Sequence, residues 1–168
     1  ATSTAAGRES LSALTRAAAA DPSTAAKFTA ARATAASTPA GRESLQTVYQ
    51  ATAKDANMTQ AQARLDAAAV GTAEGKSEYS KLQKNSAASP QLASSMTGYE
   101  ASALKDPAAK QSMNQVVQAA AGDLGVGQGV FEPLKDLLAG GGADDVSAVV
   151  VGDVVEVEAL RREQADAG

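Results

Sequence analysis

The sequence contains no cysteine, no histidine and no tryptophan, and aromatic residues make up only 3% of its 168 positions. Without cysteine there is neither a disulfide framework nor a thiolate nucleophile. Without histidine there is no imidazole base for a catalytic triad and no zinc site of the usual ligands. The chain also lacks any run of 18 or more apolar residues, which a membrane-spanning helix would need. We therefore expect no enzyme, no cofactor, no metal site and no membrane span.

A helix-start signal recurs every 17 residues through the first 122 residues. At each start the side chain can accept hydrogen bonds from the free N–H groups of a first helical turn. Four of the five prolines directly follow a start, where proline is favoured as the first helical residue. The starts are Thr4, Asp21, Thr38, Asp55, Thr72, Ser89 and Asp106, and the prolines are Pro22, Pro39, Pro90 and Pro107.

Apolar positions keep the same register as the helix starts. Residues 7, 10 and 14 positions after each start fall on one face of a helix. The second of these columns contains Leu14, Ala31, Val48, Leu65, Leu82, Tyr99 and Val116. Each unit is therefore predicted to be a helix of about 14 residues followed by a short turn, and short turns favour antiparallel neighbours.

Small residues distinguish alternate units and indicate a 34-residue helical hairpin as the larger repeat. Gly7, Gly41 and Gly75 are spaced by 34 residues, and Ala109 takes the equivalent place in the last unit. We expect a close backbone approach there, and hairpins that contact only their neighbours. The predicted fold is an all-α array of about seven short antiparallel helices, arranged either as a solenoid-like stack or as a closed bundle.

The composition divides the chain into three segments, 1–122, 123–142 and 143–168. The first has 12 basic and 9 acidic side chains, whereas residues 123–168 have 3 basic and 10 acidic ones. Residues 123–142 are predicted to be a glycine-rich linker with a short helix at 130–139. The acidic segment that follows contains two β-branched runs around Gly152-Asp153, which favours a β-hairpin at 146–160 over the alternative of a helix.

Few residues qualify as candidates for a functional site. Ser102 and Lys105 have the spacing of a Ser-x-x-Lys nucleophile, but the partner motifs Ser-Asp-Asn and Lys-Thr-Gly are absent, so we interpret the pair as chance. One basic side chain recurs in the first turn of each hairpin, where a cation opposes the helix macrodipole. These residues form a candidate stripe for an anionic partner: Arg8, Arg42, Lys76 and Lys110.

These observations favour a non-enzymatic helical scaffold or protein–protein interaction module, because stacked helices offer extended surfaces. The alternative is a virion or filament subunit that self-assembles through its helices and C-terminal strands. An amphipathic coat for lipid surfaces is a weaker third hypothesis, since the apolar columns are rich in alanine. We expect a protein partner or self-association, no nucleic acid, and a bacterial protein that is secreted or assembly-associated rather than cytoplasmic.

Overall fold

The structure is a computed structural model and describes residues 2–121, which form seven α-helices and no strand. The predicted all-α array is confirmed for this part of the chain. The short helix at 130–139, the hairpin at 146–160 and the boundaries at 122 and 142 lie outside the described residues. The helices are α1 (Ala5–Ala19), α2 (Pro22–Ala36), α3 (Pro39–Ala53), α4 (Ala56–Val70), α5 (Ala73–Ala87), α6 (Pro90–Lys105) and α7 (Pro107–Ala121).

Each helix begins one residue after its predicted start, because the start residue caps it. In α3 the Thr38 hydroxyl accepts a hydrogen bond from the Gly41 N–H at 3.1 Å. In α4 the Asp55 carboxylate accepts from the second and third helical N–H groups. These bonds satisfy donors that have no partner within the helix, and so they fix where each helix begins.

Proline at the first helical position should stabilise the fold by restricting the unfolded chain. We expect Pro39→Gly to lower the free energy of unfolding by about 1 kcal/mol. The reverse test uses Ala56, which is exposed and follows an Asp55 whose φ of −129° and ψ of 112° suit a residue before proline. Ala56→Pro should raise stability by about 0.4–1 kcal/mol. Urea denaturation measures the free energy of unfolding of both variants. Two changes of the same sign would contradict the stabilising role of proline at the first helical position.

The most extensive helix packing joins helices that are three apart in the chain: α1 with α4, α2 with α5, α3 with α6, and α4 with α7. The expectation that hairpins contact only their neighbours is therefore wrong, because α2 and α5 belong to the first and third hairpins. Local caps decide where a helix begins, but they do not decide which distant helix covers its apolar face.

Helices three apart contact each other through corresponding ends. The Gln60 amide near the start of α4 donates to the Asp106 carboxylate that caps α7, at 2.9 Å. The Ser102 hydroxyl near the end of α6 donates to the last carbonyl of α3, at 2.9 Å. These helices therefore run in the same direction, which strict antiparallel alternation would not produce. Three helices complete one turn of the stack.

Two members of the second apolar column meet the helix three positions earlier: Leu65 shares a buried cluster with Ala18 of α1, and Tyr99 packs on Tyr49 of α3. The members of this column are fully buried from α4 onward, at Leu65, Leu82, Tyr99 and Val116. In α1 the equivalent Leu14 is 54% exposed, although the sequence predicted it on the buried face. Within residues 2–121 no helix lies three positions before α1, so nothing there covers this side chain. α4 lies at the centre and packs against every other helix.

The predicted close approach at the alternate glycines is confirmed at Gly41 and Gly75. A Cβ atom placed on Gly41 would lie 2.6 Å from the carbonyl carbon of Ala35, in the last turn of α2. A Cβ on Gly75 would collide in the same way with the backbone of Ala69. The equivalent residue in α7, Ala109, is fully buried but keeps its methyl group. The connection before α7 also differs from the others: only one residue separates α6 from α7, whereas two residues separate every other pair of consecutive helices.

Candidate functional site

A network of polar side chains occupies the interior of the stack. Its central members lie eleven residues after consecutive helix starts, so that they recur every 17 residues. They are Arg32, Tyr49, Asp66, Gln83 and Glu100. The repeat that places the helices therefore also brings these five side chains together from five different helices.

Arg32 and Asp66 form the charged centre of this network. The Arg32 Nη2 lies 2.7 Å from the Asp66 Oδ1, and the two side chains are only 13% and 1% exposed. The same Nη2 donates to the Thr29 hydroxyl at 2.9 Å, and Nη1 donates to the Tyr49 hydroxyl at 3.1 Å. The ion pair thus links α2 to α4, and the tyrosine adds α3.

Asp66 accepts hydrogen bonds from two further neutral donors. The Tyr99 hydroxyl donates to Oδ2 at 2.9 Å, and the Gln62 amide donates to Oδ1 at 3.0 Å. The Tyr99 and Tyr49 rings pack 5.6 Å apart between centroids. Both carboxylate oxygens therefore have partners, as a buried charge requires.

The buried phenols of the network serve as neutral hydrogen-bonding groups. Burial raises the pKa of Tyr49 to about 12, against the opposing effect of the Arg32 charge. Burial, with the nearby Asp66 charge, also raises the pKa values of Tyr79 and Tyr99 well above the usual value. A tyrosine with a raised pKa stays protonated near neutral pH, so these hydroxyls do not act as bases there.

Glu100 is the network carboxyl group that titrates near neutral pH. Burial raises its pKa from 4.5 to about 7, a hydrogen bond from Gln83 opposes that effect, and the Asp66 charge adds to it. The Gln83 amide donates to Glu100 at 3.3 Å and to the Tyr79 hydroxyl at 3.1 Å. Glu100 is partly exposed at the residue level, so it lies where the network meets solvent.

The Glu100 pKa predicts that the fold loses stability as the pH rises. Because the folded state binds this proton more tightly than the unfolded chain, the stabilisation is complete below pH 4.5 and is lost toward pH 7. A shift of this size corresponds to about 3 kcal/mol, and solvent access reduces the expected effect to about 2 kcal/mol.

The variant Glu100→Gln, which keeps the shape and the carbonyl acceptor, should match the wild type at pH 4.5. At pH 8 we expect it to be more stable by about 2 kcal/mol. Urea midpoints at the two pH values measure the difference. An equal difference between variant and wild type at both values would contradict a raised pKa at this residue.

This network was not predicted from the sequence, because its central members lie outside the apolar columns that define the repeat. The signal was present in the sequence, because Arg32 and Asp66 carry opposite charges and Tyr49 lies midway between them at the helix repeat spacing. Chemically, the arrangement joins α2, α3, α4 and α6 through bonds that form only when all four helices are in register. Its hydrogen-bonded groups are directed at one another, whereas the buried Arg32 Nε has no hydrogen-bond partner among the described residues.

The candidate basic residues do not come together in one packed row. The odd-numbered helices that carry them, α1, α3, α5 and α7, are not packed extensively against one another in the described part of the chain. Arg8 instead pairs with Asp55, the cap of α4, at 3.4 Å. Arg42 donates to the carbonyl of Ala36 at the end of α2, at 3.1 Å. Their contact with an anionic partner stays a prediction.

The Ser-x-x-Lys pair has a structural role at its serine. The Ser102 hydroxyl donates to the carbonyl of Ala53 at 2.9 Å, between α6 and α3. Lys105 is exposed in the last turn of α6. Among residues 2–121 there is also no group of three or more acidic side chains that could hold a metal ion. None of the seven described helices is long and apolar enough to cross a membrane.

Two shallow surface depressions lie between helices. The first, of about 480 Å³, has Arg8, Lys54 and Asp55 among its lining residues, and its arginine and aspartate are paired. The second, of about 430 Å³, lies between α1, α4 and α7 and is lined by Arg16, Ala19, Ala20, Arg64, Ala67, Ala68, Ser112 and Gln115. We call the second depression the α1/α4/α7 groove.

Comparison of the chain with known protein families, curated proteins and solved structures finds no match.

Proposed function

We propose that this chain is a non-enzymatic helical scaffold that binds a protein partner through its two surface depressions, the second of which is the α1/α4/α7 groove. The observation that carries the proposal is that the polar side chains of the buried network form hydrogen bonds within the stack. Arg32 and Tyr99 both bond to Asp66 inside the stack, an arrangement that favours a rigid structure over a catalytic site. A rigid stack of helices then presents side chains at fixed spacings along its outer surface.

Chemical crosslinking of the intact chain in extract from its source, followed by mass spectrometry, tests this proposal. We expect crosslinks to a specific partner to concentrate on lysines near the depressions, such as Lys54. Lys84, an exposed lysine that lines neither depression, serves as the internal control. Crosslinks distributed equally over both lysines would count against an interaction through the depressions.

Self-assembly is a second candidate, supported by the uncovered start of the stack. The column that is fully buried from α4 onward is exposed at Leu14 and Ala31, and it is half-buried at Val48. A second copy that packed there would continue the three-apart stacking, and a head-to-tail contact of this kind propagates into filaments. Multi-angle light scattering at increasing concentration tests this candidate. We expect Leu14→Gln to reduce the average mass if α1 forms the contact, and a monomer at all concentrations would exclude it.

A further inference from the structure

We propose that the α1/α4/α7 groove binds an acidic protein segment through Arg16 and Arg64. This inference deepens the proposed scaffold function and rests on it. The groove exists because helices three apart lie side by side. Arg16, Arg64 and Ser112 are separated by 48 residues at each step, as are Ala19, Ala67 and Gln115. Corresponding faces of α1, α4 and α7 therefore form one continuous surface.

The two arginines are the charged groups of the groove. Both are exposed, and within residues 2–121 neither has a carboxylate within salt-bridge distance. The acidic residues close to them in the sequence have other partners: Asp66 bonds to Arg32 inside the stack, and Asp21 caps α2. Guanidinium groups without a partner attract carboxylates and can bind them with two parallel hydrogen bonds.

The rest of the groove favours a peptide over a free ion. Four alanines form an apolar floor, Ala19, Ala20, Ala67 and Ala68, and the α7 side chains Ser112 and Gln115 add a hydroxyl and an amide. The amide and hydroxyl can bond to a peptide backbone, while the floor accepts small apolar side chains. A volume of about 430 Å³ has room for a few residues. We therefore expect a segment with acidic residues that alternate with small apolar ones.

The test measures binding of a fluorescein-labelled peptide of four Glu-Ala repeats to the full chain by fluorescence anisotropy. We expect Arg16→Gln and Arg64→Gln each to weaken binding about tenfold, and the double variant about a hundredfold. Lys84→Gln with Lys105→Gln removes the same charge outside the groove and should change binding less than about twofold. Circular dichroism melts confirm that each variant is folded.

Three outcomes would overturn the proposal: no binding of this peptide at millimolar concentration, equal losses in the groove and control variants, or equal binding of a Gln-Ala peptide. Inorganic phosphate that binds at Arg16 and Arg64 while the peptide does not would assign the groove to a small anion instead. The scaffold function fails separately. If crosslinking identifies a partner whose capture does not change in the Arg16→Gln/Arg64→Gln variant, the scaffold function stands and the groove assignment falls.

Discussion

Replacing Asp66 with alanine should destabilise the fold by about 3–5 kcal/mol, because the change leaves the buried Arg32 charge without its partner. The Tyr99 and Gln62 donors lose their acceptor in the same step. A loss of this size is a large share of the stability of a small domain. Urea or thermal denaturation followed by circular dichroism measures it.

Two controls separate the buried ion pair from a general effect of removing charge. Glu78→Gln breaks the pair with Lys81, whose side chains are 17% and 60% exposed, and should cost about 0.5 kcal/mol or less, because the lysine charge stays in solvent. The double variant Arg32→Met/Asp66→Ala should be more stable than Asp66→Ala alone, since it buries no charge without a partner. A loss at Asp66 no larger than that at Glu78 would show that the network contributes little.

The second large effect is expected at Gly41, where even one added methyl group meets backbone. Gly41→Ala should destabilise by about 1–3 kcal/mol, because α3 must move away from the last turn of α2. Alanine favours a helix over glycine by most of a kcal/mol, so the contact must outweigh that gain. Thermal denaturation decides which effect is larger.

Gly98 provides the matched control for this substitution. It lies in the middle of α6, is exposed, and has open space around the position of a Cβ atom. Gly98→Ala should therefore stabilise by about 1 kcal/mol. The two glycine variants are expected to have opposite signs, and Gly75→Ala should behave like Gly41→Ala. Stabilisation at both Gly41 and Gly98 would contradict the close approach.

The helix boundaries could be predicted because they depend on local chemistry. Thr38 bonds to its own first turn, and Pro39 restricts a single backbone angle, so both effects are readable from a few adjacent residues. The packing could not be predicted in this way. Leu14 and Leu65 occupy equivalent positions, yet only Leu65 is buried, because its environment depends on which helix lies three positions earlier.

In the candidate site, too, the residue spacing could be read from the sequence, whereas the packing of the helices could not. The basic residues were identified by spacing, but odd-numbered helices are not neighbours in this stack, so equal spacing did not produce one packed row. The groove at Arg16 and Arg64 depends on a step of 48 residues rather than 34. That step arises when three repeats place helices side by side with an offset of about one helical turn.

The three-apart packing also sets the order in which the chain can fold. A nearest-neighbour solenoid can add structure one repeat at a time during synthesis. Here α1 acquires its principal neighbour only after α4 has been made, and α4 acquires its last one only with α7. The helices α1 to α4 each wait for about fifty further residues before the helix three positions later can pack against them. Folding is therefore expected to be cooperative across all seven helices and slower than in a helical protein that has mostly local contacts.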